Sequence, residues 1–314
     1  MKNIIDLHVH TTASGGTCSP MEVVDEAMAL GLRAIAITDH DSIHGLESAM
    51  EYAADKDIRI IPGVELTTMS DIYHSVYDRW ETSTLSSIDP DQRFMVLKRP
   101  DLTQVHILGY NMDYKDLELI HILDYLSLLR NDRISLMAEA LAKDFPEVSM
   151  KEIRSMFPGA TLTRSNLAVY LQKLKIVDSV KEAFDNLIGE DCIYYVHKKK
   201  MTDEGAIALI KYYGGIPVLA HPVQYKTPEG KSLSETEYNL LFDNLTALGI
   251  EGVEAIYSEN LDGDQERFTA MAKERGLFIT GGSDYHGTAK PDIHLGRGIN
   301  NNLFIPETVL DNLI

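Results

Sequence analysis

Residues 4–12 read IIDLHVHTT. An apolar run carries Asp6 and then delivers two imidazoles, His8 and His10, one residue apart. In a strand, alternate side chains share a face, so the pair projects together, as two ligands of one metal ion would. Neutral imidazole suits zinc, iron, manganese or nickel better than calcium or magnesium. A lone HxH is more often a pair of polar residues at a strand end than a metal site. Here the rest of the chain decides, because apolar strand-like runs keep ending in His, Asp or Glu.

RAIAITDHD (33–41) leads to Asp39, His40 and Asp41. RIIPGVEL (59–66) reads as a strand broken by Pro62 and Gly63, with Glu65 at its end. QVHILGY (104–110) carries His106. IPVLAHP (216–222) ends at His221, GVEAIY (252–257) carries Glu254, and LFITGGSDYHG (277–287) ends at Asp284 and His286. Helical spacing lies between these runs. The first helix covers Pro20–Leu30, with Ser19 as N-cap and Gly31 after its end; others are expected near 43–56, 203–213, 234–248 and 262–275. Strands alternating with helices predict a parallel sheet. In a closed barrel every strand C-terminus opens onto one rim, whereas an open doubly wound sheet would split the candidate residues at its switch point. Their convergence favours the barrel.

Two stretches interrupt this rhythm. Residues 69–103 are polar, lack a clear period and predict a loop or lid above the site. Residues 115–204 turn helical, with Leu117, Ile120, Leu123, Leu126 and Leu129 and then Ile134, Met137 and Leu141 at helical spacing. They predict a small inserted helical domain carrying a basic patch, TLTRSNLA at 161–168 and HKKK at 197–200. The barrel is then expected from 1–114 and 205–314.

The 314 residues carry a formal net charge of −19, which argues against a broad duplex-DNA surface. An anionic small substrate is compatible, because cations held by neutral imidazoles make a local positive pocket. Met1 and Lys2 run straight into the first strand without a secretory h-region, and no stretch is apolar for long enough to span a bilayer. Cys18 and Cys192 are far apart in sequence and read as reduced thiols. A cytoplasmic protein without membrane partners is expected.

The candidate ligands are His8, His10, His40, Glu65, His106, His221, Asp284 and His286. They are too many for one ion of about four ligands, and they suit two or three divalent ions (manganese, iron or zinc) with Glu65 as the natural bridge. Paired ions activate water and stabilise both attacking and leaving oxygens, which serves phosphate-ester hydrolysis well. His44, His74, His121, His197 and His294 fall off the pattern, His74 being nearest to it in sequence.

In this order, DLHVHTTAS, AITDHD, PGVEL, VHILGY, VLAHP and GSDYHG resemble the motifs of the PHP (polymerase and histidinol phosphatase) superfamily. The inserted helical segment, ending in YGGIPVLAHP, is similar to the stand-alone members that act on nucleotides. The resemblance implies a distorted (β/α)7 barrel with a two- or three-metal centre. It implies His8, His10, Glu65 and Asp284 on one ion, Glu65, His106 and His221 on a second, and His40 with His286 on a third. It places Arg164 on the substrate phosphate, with Ser165 and Lys198 as further candidate contacts. Glu65 is the candidate catalytic bridge and Asp39 a candidate proton source for the leaving oxygen. One departure stands out: Gly15 occupies the position where the family carries Asp, so the third site should be weakened.

The implied substrate is a nucleoside 3′,5′-bisphosphate losing its 3′-phosphate, or a short 5′-phosphorylated RNA trimmed from its 5′ end. A histidinol-phosphate-type phosphatase is the alternative, and the helical insertion speaks against it. C–N hydrolysis on an amidohydrolase barrel fits less well, because Glu65 stands in for the carboxylated lysine such sites often use. A PHP module that binds metal without catalysis would point to Gly15 as its sign.

Overall fold

The computed structural model describes residues 4–74, 95–96 and 102–313. The elements begin β1 (Ile4–Val9), α1 (Pro20–Ala29), β2 (Leu32–Ile37), α2 (Leu46–Ala53), β3 (Arg59–Ser70), β4 (Met95–Val96) and β5 (Thr103–Tyr110). The insertion follows with α3 (Leu117–Leu141), α4 (Met150–Met156), α5 (Arg164–Lys173) and α6 (Val180–Ala183). The chain then resumes as β6 (Lys200–Thr202), α7 (Asp203–Tyr212), β7 (Ile216–Leu219), α8 (Glu235–Leu248), β8 (Gly252–Tyr257), α9 (Asp264–Glu274) and β9 (Phe278–Gly282). α1 starts as its sequence requires. The Ser19 hydroxyl accepts from the Glu22 N–H, the Glu22 carboxylate accepts from the Ser19 N–H, and Pro20 sits where its missing N–H costs nothing.

The main sheet runs β1-β2-β3-β5-β7-β8-β9. Its ends meet where the Asp284 N–H donates to the His8 carbonyl and the His10 N–H to the Tyr285 carbonyl, both at 2.9 Å. A bridge between Val9 and Tyr285 completes a nearly closed barrel. The sheet is not wholly parallel, as the β/α rhythm had suggested. β5 runs antiparallel to both β3 and β7, in unbroken register from Gly63–Tyr110 to Ser70–Thr103 against β3. His106 therefore reaches the ligand-bearing rim from the first half of a strand that runs away from it.

Pro62 and Gly63 do not break β3. They mark where β5 takes up the other edge: Arg59–Pro62 pairs with β2 and Gly63–Ser70 with β5, while the β2 side continues as a bridge between His40 and Glu65. A Cβ on Gly63 would lie 2.9 Å from Thr38 Cγ2 and 3.1 Å from the Ile37 carbonyl oxygen, so the crossing needs glycine. Glu65 is consequently mid-strand. The expected lid at 69–103 loses Met69 and Ser70 to β3, and residues 75–94 and 97–101 lie outside the described residues.

The barrel interior has two tiers. Ala34, Ala36, Ile61, Leu108 and Val218 fill the lower one, while their strand neighbours Ile35, Ile37, Val64 and Ile107 pack outward in the other core cluster. β1 slips register between Asp6 and Val9, three steps against two on β2. This bulge lets Leu7 join the lower tier and the next residue, His8, turn toward Glu65 above it.

α3 is shared between two cores. Leu119, Leu123 and Leu126 pack on the barrel, and Ile134, Met137 and Leu141 pack with α4, α5 and α6. The core thus divides within this helix rather than at residue 115. Leu117, expected on the buried face, is 71 % exposed. At the other end of the insertion, β6 pairs with β3 through Thr68–Met201 and Met69–Thr202, so residues 200–202 belong to the sheet.

Closure of the barrel leaves no room at Gly282, where a Cβ would stand 2.1 Å from His8 Cβ and 2.6 Å from Glu254 Oε1. Gly282→Ala should destabilise the fold by about 1–3 kcal/mol, seen as a lower denaturant midpoint, whereas Gly31→Ala, which meets nothing within 4 Å but sits at φ +77°, should lose less.

Candidate metal centre

Glu65 is the hub. Its Oε1 faces His106 Nδ1 at 2.5 Å and His221 Nε2 at 2.9 Å. Its Oε2 faces His40 Nδ1 at 2.8 Å, His10 Nε2 at 3.2 Å and His8 Nε2 at 3.3 Å. Asp284 Oδ1 joins this second group, 3.2 Å from His10 Nε2 and 3.7 Å from His8 Nε2. His286 stacks on His10 with ring centroids 4.0 Å apart. All eight candidate ligands thus meet on one rim.

The donor set fits divalent ions. Among the described residues, three groups hold ligand atoms within 4.8 Å of one another: His8, His10, Glu65 and Asp284; His40, Glu65 and His106; and His10, His40 and His286. His221 stands outside these groups, although it touches the same Glu65 oxygen as His106. Among the described residues, His8 Nε2, His10 Nε2, His40 Nδ1, Glu65 Oε2 and Asp284 Oδ1 are buried without a hydrogen-bond partner. Orphaned atoms turned toward one centre are what a cation would satisfy. Burial holds His40 down at about 3, and burial likewise lowers His106 and, much further, His286. Burial also works to lower His8, but the carboxylates of Glu254, Glu65 and Asp284 outweigh it and raise the ring well above the usual histidine range.

A family model for the PHP domain matches residues 6–263. The chain belongs to the PHP domain family. It is 27% identical to the 5'-3' exoribonuclease Rnm of Escherichia coli (strain K12), over 94% of this chain and 88% of that protein. It is 28% identical to the 3',5'-nucleoside bisphosphate phosphatase of Chromobacterium violaceum, over 93% and 90%. A crystal structure from Bifidobacterium adolescentis, assigned as a metal-dependent phosphoesterase, superposes with a TM-score of 0.77 at 25% identity, covering 98% of this chain and 94% of that one. The family read from the motifs and the barrel expected of it both hold.

Buried partners orient the ligands of this PHP centre. Glu254 accepts from His8 Nδ1 at 3.0 Å and from the His221 N–H at 2.8 Å, which turns His8 Nε2 toward Glu65. Asp284 sits at φ +59°, and its Oδ2 is held by Lys290 Nζ at 2.6 Å and by Tyr257 Oη at 3.0 Å, leaving Oδ1 for the cluster. Glu254 was noted on its strand without a role, and Tyr257 and Lys290 were not singled out. A buried Glu in mid-strand, one residue type among apolar neighbours, was the available signal for the first.

Asp39, expected as a proton source, has both carboxylate oxygens hydrogen-bonded to the loop after β1. Oδ1 accepts from the Thr11 N–H at 2.9 Å and the Ser14 hydroxyl at 2.5 Å, and Oδ2 from the Thr11 hydroxyl at 2.7 Å. With both oxygens engaged, it anchors the loop that carries Gly15. A Cβ on Gly15 would lie 3.3 Å from His286 Nε2 and 3.2 Å from Thr163 Oγ1, so a side chain there would face the third ligand group. Arg164 opens α5, its guanidinium 5.2 Å from the rings of both Phe184 and Tyr195, and it lines one cleft with His106 and His221. Ser165 lies beside it in the same helical turn, half-buried. The HKKK run alternates: His197 and Lys199 are exposed, while Lys198 and Lys200 are buried. His74 stays apart, exposed and paired with Asp71.

Glu254→Gln should weaken manganese or zinc binding by about 10–100-fold, measured by equilibrium dialysis, while circular dichroism stays native. Unchanged affinity would show that His8 needs no orienting carboxylate.

Proposed function

We propose that this chain is a metal-dependent phosphoesterase of nucleotides, removing the 3′-phosphate of a nucleoside 3′,5′-bisphosphate or trimming short 5′-phosphorylated RNA. The observation that carries the reading is the division of Glu65, one oxygen to His106 and His221, the other to His8, His10 and His40. A single carboxylate facing two ligand sets is the arrangement for paired ions, manganese, iron or zinc, with a third position near His40 and His286. Divalent ions, when bound, would acidify water and neutralise the phosphoryl oxygens.

The chain's own groups do the rest. His8, His10, Asp284, His106 and His221 fix the positions from which phosphate is held. Arg164 presents a planar fork to a phosphoryl oxygen in a cleft of about 560 Å³ that also takes in Gln104, Tyr225 and Lys226. Lys290, at 2.6 Å from Asp284, keeps that carboxylate ionised, with His286 and His8 adding to its effect against the pull of burial. The names of the exoribonuclease and bisphosphate phosphatase relatives support the choice of substrate. Free Cys18 and Cys192, and the lack of any helix long and apolar enough to cross a membrane among the described residues, accord with a cytoplasmic setting.

Phosphate release should be assayed on manganese-reconstituted protein with a nucleoside 3′,5′-bisphosphate, a 5′-phosphorylated oligoribonucleotide, histidinol phosphate and an aryl phosphate. A nucleotide should be strongly preferred, and Glu65→Ala and Asp284→Ala should each lose more than about 100-fold in kcat while remaining folded. Undiminished turnover in both variants would sink the reading. Gly15→Asp should add bound metal per chain, read by elemental analysis, if the third position is weakened for want of that carboxylate.

A further inference from the structure

α3 is apolar on two sides. Its inner seam, Leu123, Leu126, Arg130, Arg133, Met137 and Leu141, is buried. Its outer face carries Leu117, Tyr125, Leu128 and Leu136, which are 71, 47, 57 and 51 % exposed. A helix on a protein surface ordinarily turns polar and charged side chains toward water, and a contiguous apolar strip marks an interaction surface. His121 and Asp132 complete the outer face. Both are exposed, and neither makes a hydrogen bond or ion pair among the described residues.

Leu117, His121, Tyr125, Leu128, Asp132 and Leu136 follow one another at spacings of 4, 4, 3, 4 and 4 residues, the same read in either direction. At 3.6 residues per turn they share about a third of the helix circumference. Such a face can meet its own copy antiparallel, across a two-fold axis at the level of the Leu126–Ser127 peptide. Leu117 then meets Leu136, Tyr125 meets Leu128 and His121 meets Asp132, each pair occurring twice. Glu118 comes opposite Ser135. Glu139 comes opposite Tyr114, whose ring centroid is 5.7 Å from Lys115 Nζ, so no carboxylate faces another. Other arrangements lose the match. A parallel pair sets His121 on His121 and Asp132 on Asp132, and an axis at Leu128 sets Asp124 against Asp132.

We propose that a second copy of this chain covers the outer face of α3, the two helices packing antiparallel in an isologous dimer. Apolar side chains meet apolar ones, and the two polar positions meet as an imidazole and a carboxylate. α3 has 25 residues, a face about 37 Å long and about 10 Å across, which is at the small end for a specific interface. The dimer is therefore one of micromolar strength. It does not depend on the phosphoester reading.

Sedimentation velocity on the full-length protein, from about 1 to about 200 μM, is the test. The wild type shifts from monomer to dimer across this range. Leu128→Glu, at an exposed position, weakens the dimer by at least about 100-fold and keeps a native circular dichroism spectrum. The register is tested by charge. His121→Glu sets acid against acid at two places and weakens the dimer about tenfold or more. Adding Asp132→Lys to that variant makes two opposite-charge pairs and returns the affinity to within about threefold of wild type. A wild type that stays monomeric throughout leaves the face to a partner of another kind and overturns the proposal. A dimer that survives Leu128→Glu forms through another face and also overturns it. Failure of Asp132→Lys to rescue His121→Glu rejects the antiparallel pairing. Should Leu128→Glu lose its native spectrum, His121→Glu alone decides, and unchanged association in that variant rejects the pairing.

Discussion

Glu65 is fully buried, and five imidazoles approach its two oxygens within 3.3 Å. Taking a carboxylate out of water costs several kcal/mol unless opposite charge and hydrogen bonds offset it. Here burial works to raise its pKa, and the His40, His106 and His8 rings more than reverse the shift, so the group stays ionised. The rest of the rim is built to bring those rings to it. The β1 bulge turns His8 inward, the β2–β3 pairing ends in a bridge between His40 and Glu65, and antiparallel β5 sets His106 beside Thr67. The closing contact between β1 and β9 delivers Asp284.

The insertion contributes through one helix that belongs to both cores. Because α3 is anchored by leucines on the barrel and by Ile134, Met137 and Leu141 in the helical cluster, its middle is rigidly held over the rim. Asp41 ties the two parts together: its carboxylate takes Arg130 from α3 and the Thr67 N–H from β3, and its carbonyl accepts from the Ser127 hydroxyl. A positive φ of 49° at Asp41 is the local strain that lets one residue meet all three. The inserted helices and the histidine rim are therefore joined across consecutive residues, His40 and Asp41.

Much of this was legible in the chain. Apolar runs punctuated by His, Asp and Glu named the side chains that gather on the rim, because strand ends there show polar chemistry where the hydrophobic pattern stops. The direction of β5 was not legible: residues 71–102 separate it from β3, and a strand's own sequence does not say which way it runs. Pro62–Gly63 looked like a break because proline lacks a donor, yet Pro62 stays paired with Ile37 and its carbonyl accepts from the Asn111 N–H, so the strand runs on. Arg130 and Arg133 escaped notice because the periodicity was read from leucines alone, and charge in a helical seam shows only when the seam is followed through. In HKKK, alternation in the extended segment, rather than composition, decides which lysines are buried.

Anomalous diffraction from crystals of the manganese-reconstituted protein tests the central claim most directly. The account requires manganese peaks on both sides of the Glu65 carboxylate, one contacting His8, His10 and Asp284, the other contacting His106 and His221. A single peak that leaves one Glu65 oxygen bonded only to imidazole, or peaks elsewhere on the acidic surface, would contradict it.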